Sequence, residues 1–107
     1  IDRWREFPFA VQMSHIGGDV VRAVRWKEKQ KDSLQAQAMC RALELMELSL
    51  QTQLTRPQRR ELCRVKEVWL DYLIGENIHR CTPESWYNYF RVFDISASKN
   101  VEDTINT

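Results

Sequence analysis

Glycine and proline are scarce in this chain, with three of each among 107 residues. An all-β fold of many tight turns needs more of both, so the composition argues against one. No apolar run approaches the roughly 18 residues of a membrane-spanning helix. Cys40, Cys63 and Cys81 are far apart and odd in number, with no CxxC pair. That disfavours a disulfide framework and a zinc site, so no metal or cofactor is expected, and a reducing, cytoplasmic setting is. Charge of one sign is lacking too. The formal net charge is +1, so no global field drives the chain onto nucleic acid or acidic lipid, and such binding would rest on a local patch. The opening "IDRWREFPF" carries neither an initiator methionine nor a signal-peptide pattern, and a trimmed or disordered start is expected.

What is present is the punctuation of helices. Charged residues at 29% and hydrophobic ones at 43% match an ordinary globular domain. A chain of this length can bury roughly two-thirds of its unfolded surface. A first helix is predicted from about Phe9, behind Pro8, to Lys29. A second begins after "KQKDS", with Asp32 as its cap and Gln35 three residues on completing a capping box, and runs to about Gln53. In "TRPQ", Thr55 caps a third, Pro57 sits in its first turn and Gln58 completes a second box; Gly75 ends it. Thr82 and Pro83 open a fourth, which fades by about Lys99. Residues 1–99 thus read as one domain, and the polar tail 100–107 is expected to fray. Short connections favour antiparallel neighbours. The expected fold is all-α, an antiparallel up-and-down bundle of about four helices.

Placing residues at 100° per step assigns each helix a buried side. In the first, Phe9, Met13, Ile16, Val20, Ala23 and Val24 share one face, opposite His15, Asp19, Arg22, Trp26 and Lys29. The second is apolar over more than half its circumference. The third centres on Leu62, Val65, Trp69, Tyr72 and Leu73, with Cys63, Leu70 and Ile74 extending the arc toward the back. The fourth carries Trp86, Phe90, Phe93 and Ala97, flanked by Tyr87, Tyr89, Val92 and Ile95. A helix facing one partner needs an apolar arc of only about 100°. The surplus on the last three predicts a partner surface, most simply a second copy of the chain. Trp69, Leu70, Ile74, Trp86, Tyr89 and Phe90 are the expected interface anchors.

The adjacent glycines of "HIGGDVV" admit three readings. The favoured one runs the helix through them, with Gly17 at the edge of the buried face admitting a close neighbour. The second is a break with Asp19 as cap, and the third a phosphate loop, which lacks the strand before it and the Lys-Ser or Lys-Thr after it.

Four constellations bear on chemistry. "ENIH", Glu76 to His79, has the Glu-x-x-His spacing of di-metal bundles, but one copy directly after Gly75 reads better as a loop histidine. His15 and Asp19, one turn apart, suit general-base work yet are more simply a solvent-facing pair. Arg60, Arg64, Glu67 and Asp71 line one narrow stripe of the third helix, with charges opposing its dipole. With Arg41 and Glu44 of the second helix, Arg64, Glu67 and Asp71 are candidates for a polar network, either a solvated ion-pair lattice or a partly buried device fixing register or an oligomer interface. Finally, Arg22, Arg25 and Lys29 with Trp26, and Arg59, Arg60 and Arg64, form two basic segments able to hold a nucleic-acid backbone. They fall at opposite ends of an up-and-down bundle. Among the cysteines, only Cys81, beside Arg80 and just before a helix N-terminus, has a setting in which thiolate formation is conceivable.

These features lead to a non-enzymatic, oligomerising protein-interaction or assembly module. The alternative is a nucleic-acid-associated accessory protein using the basic segments. An enzyme or metal-binding bundle trails both, and no membrane association is expected.

Overall fold

The computed structural model describes the backbone of residues 4–106 and the side chains of residues 4–97. A short 3₁₀ turn, Trp4–Glu6, leads into α1 (Phe9–Glu28), α2 (Asp32–Leu50), α3 (Arg56–Ile74) and α4 (Pro83–Asn106), and no strand occurs among the described residues. Neighbours run antiparallel. The Tyr87 hydroxyl, near the start of α4, donates to Glu28 at the end of α1 over 2.6 Å. Ser14, near the start of α1, donates to Asp94 farther along α4 over 2.6 Å.

The helix starts show how far local chemistry decides a boundary. At α3 the capping box forms in full: Gln58 N–H donates to the Thr55 hydroxyl and Thr55 N–H to the Gln58 side chain. At α4, Thr82 caps with Ser85 in the reciprocal role. The box expected at Asp32 does not form. Gln30 turns the chain at φ 58°, Lys31 N–H closes onto Trp26 O, and Lys31 becomes an N-cap without a side-chain bond. Asp32 is thereby the first helical residue, where its charge still complements the helix dipole. The second helix stops at Leu50 rather than Gln53, and Arg59 donates to the freed carbonyls of Leu50 and Thr52. The fourth continues past Lys99 to Asn106; the side chains of the tail expected to fray lie outside the described residues.

One core joins all four helices. The predicted face of α3 is buried as read, through Leu62, Val65, Trp69, Tyr72 and Leu73, and so is that of α1 through Met13, Ile16, Val20, Ala23 and Val24, whereas Phe9 at its start is only half-buried. α1 runs unbroken through both glycines. A Cβ on Gly17 would stand 2.5 Å from Phe90 Cδ1, whereas one on Gly18 would meet nothing within 4 Å. Glycine at position 17 therefore lets α4 lie directly on α1. The indole N–H groups of Trp69 and Trp86 are buried without acceptors, costing about 1–3 kcal/mol each. Removing roughly 200 Å² of each ring system from water gains about 5 kcal/mol, so burial wins.

Candidate functional site

α1 packs closely on α2 and α4, but the backbones of α3 and α4 stay apart along almost their whole length. Large side chains fill the space between them. Where α1 presents Gly17 and Ala23, α3 and α4 meet through aromatic rings, as in the Tyr72–Trp86 pair with centroids 6.1 Å apart. The gap is a groove of about 450 Å³ lined by Glu61, Arg64, Val65, Val68, His79, Cys81, Ser85, Trp86 and Tyr89. Across it the Tyr89 hydroxyl donates to Glu61. Burial first, then that carboxylate, pushes the tyrosine pKa well above its ordinary value, so the phenol stays protonated.

The α3–α4 connection closing one end of the groove is tightly held. The Asp71 carboxylate accepts from Ile78 N–H at 2.8 Å, and its backbone carbonyl accepts from Gly75 and Asn77 N–H. Asn77, at φ 53°, bonds both the N–H and the carbonyl of Cys81. Gly75 ends α3 in extended conformation rather than left-handed. Glycine suits this position because a Cβ would sit 2.9 Å from the backbone carbonyl oxygen of Asp71, besides 2.6 Å from its Oδ1.

Of the expected anchors, Trp69, Trp86 and Phe90 are core residues of the chain itself, consumed by closing the bundle. This corrects their assignment to an interface. Leu70 and Tyr89 are half-buried and Ile74 is exposed. The large apolar side chains most open to solvent all lie on α3, the connection and α4: Ile74 at 68%, Ile78 at 70%, Val92 at 61% and Ile95 at 54%. Leu34 and Phe7, the others among the described residues, are only marginally exposed.

Within one chain the polar network forms no ion pairs among the described residues: Arg41, Glu44, Arg64 and Glu67 have none, and Asp71 is engaged in its own loop. α2 turns Arg41 and Glu44 toward α1 instead, where they share a shallow cleft with His15, Asp19 and Arg22. The basic residues are largely committed locally. Arg22 pairs with Asp19 at 2.7 Å, Arg25 lies over Tyr87 and Lys29 over Trp26, and Arg59 caps α2. Arg60 and Arg64 are exposed on α3, at the opposite end from the α1 group, and Arg64 also lines the groove, where its charge acts on Tyr89.

Asp19 engages Arg22 rather than His15, whose ring instead stacks on Phe7 at 5.7 Å and 22°. His79 and Cys81 share the groove wall, yet no hydrogen bond joins them among the described residues. No group of three or more His, Cys, Asp or Glu could hold a metal ion, and no helix is long and apolar enough to cross a membrane, among the described residues.

Sequence reasoning missed the N-terminal turn. The Trp4 indole donates to the buried Ser49 hydroxyl at 3.0 Å, and Gln12 donates to the carbonyls of Trp4 and Phe7. The turn folds against the far end of α2 and walls a cavity of about 730 Å³ with Phe9, Leu48 and Leu54. Two aromatic residues before Pro8 were the available signal. Compared with known proteins, the chain matches no family model, no curated protein and no solved structure.

Proposed function

We propose that this chain is a non-enzymatic assembly module that binds a second copy of itself through the outer side of α3 and the α3–α4 connection. One observation carries the reading: the two most exposed large apolar side chains among the described residues, Ile78 and Ile74, lie together in the α3–α4 connection and at the end of α3 after the core has closed. Burying such side chains contributes about 1.5–3 kcal/mol each, which supports an assembled state over an isolated chain.

Sedimentation velocity or light scattering across a dilution series tests this. The mean mass is expected to rise with concentration. Ile74→Glu, which alters an exposed side chain, is expected to lower the mass while leaving the helical content intact. A mass equal to one chain at the highest attainable concentration refutes the proposal.

A further inference from the structure

The outward side of α3 repeats at intervals of three and four residues: Pro57, Arg60, Arg64, Glu67, Asp71, Ile74. At 100° per residue these six fall within an arc of about 100°. All are exposed except the half-buried Asp71. This is the seam spacing of a coiled coil, but its centre is charged. Within one chain the charges are badly placed. Cations in the first half of a helix and anions in the second oppose the macrodipole. Arg60, Arg64 and Glu67 find no hydrogen bond or ion pair to compensate among the described residues.

Reversed end for end, the seam is its own complement. Turned about a point midway between Val65 and Lys66, Arg64 falls opposite Glu67, Arg60 opposite Asp71 and Pro57 opposite Ile74. The alternating spacing keeps all three pairs in register, because an antiparallel coiled coil sets the two seam positions opposite each other. Resting on the assembly reading above, we infer that α3 pairs antiparallel with the α3 of a second copy about a two-fold axis. Arg64 then meets the partner's Glu67, and Arg60 the partner's Asp71. Two-fold symmetry makes each contact twice, giving four ion pairs capped at both ends by Pro57–Ile74 contacts. Each helix also lays its arginines against the negative end of its neighbour, removing the dipole conflict. A nucleic acid fits this seam less well, since Glu67 and Asp71 would repel its phosphates.

Charge reversal tests the register. R64E and E67R each turn two attractions into two repulsions, and either alone is expected to raise the dimer Kd about tenfold or more at low salt. Mixing the two variants re-forms opposite pairs and is expected to restore a heterodimer. The double variant R64E/E67R is expected to restore the homodimer, and the wild-type dimer to weaken as salt rises. Circular dichroism checks that each variant keeps its helices. If the wild-type chain dimerises but the single reversals leave Kd unchanged, or if the double variant fails to recover, the α3 register is overturned while assembly stands. If the wild-type chain never dimerises, both fall.

Discussion

Replacing Gly17 and Gly18 by alanine, one at a time, is expected to stabilise the fold only at position 18. Both sit in the interior of α1, so each substitution gains the same helix propensity, about 1 kcal/mol. Only one meets an obstacle. The new methyl at position 17 lies 2.5 Å from Phe90 Cδ1 and 2.8 Å from Cγ, against about 3.5–4.0 Å for a comfortable carbon contact. The ring is in the core and its near atoms lie close to the α4 backbone, so about 1 Å of overlap must be relieved by parting the helices or forcing a rotamer. Overpacking of that kind costs about 1–3 kcal/mol. Subtracting the two variants cancels the propensity gain and leaves the clash alone. Gly18→Ala is expected to stabilise by about 1 kcal/mol, or about 4–8 °C in Tm. Gly17→Ala is expected to fall about 1–3 kcal/mol below it, read from urea midpoints at unchanged m. Gly17→Ala combined with Phe90→Leu, which makes room, is expected to be less harmful than the sum of the two. Equal stabilisation by both alanines would refute the close approach of α1 and α4.

Two further outcomes follow from local chemistry. Thr55→Ala removes the acceptor in the capping box of α3 and is expected to cost about 1 kcal/mol in chemical denaturation, with Thr55→Ser retaining most of it; no loss would mean the box contributes nothing to the start of α3. Tyr89 has a raised pKa in the fold through burial and then Glu61, and burial also raises Tyr72 and Tyr87. Near pH 10 and above, the unfolded chain therefore holds fewer tyrosine protons than the folded one, and stability is full below that pH and lost as pH rises. The fall in Tm above pH 10 is expected to be shallower in Tyr89→Phe; an identical slope would show that this phenol is not held protonated by the fold.

The boundaries legible in the sequence were those written by side chains acting on their own backbone. Thr55 with Gln58, and Thr82 before Pro83, fix helix starts within a few residues, and such bonds form wherever the chain turns that way. The start of α2 was misread by one residue because a left-handed Gln30 and a backbone bond to Trp26 settled it instead. The clustering of exposed isoleucines could not be read from arcs alone. Periodicity says that Trp69, Trp86, Phe90 and Ile74 are apolar and where each lies around its helix, but not which neighbour arrives to cover it.

By itself, the sequence determined that there are four helices, where most of them begin, and which side of α1 and α3 turns inward, since local hydrogen bonding and a 3.6-residue period suffice for those. Only the tertiary structure decided that α4 closes on α1 over Gly17 while α3 stands off from α4, leaving four large aromatic side chains inside and the charged seam of α3 outside. The physical reason is that closeness between helices depends on the volumes of side chains brought together from distant parts of the chain. Glycine against phenylalanine permits contact, whereas tyrosine against tryptophan holds backbones apart, and no window of neighbouring residues contains both members of either pair.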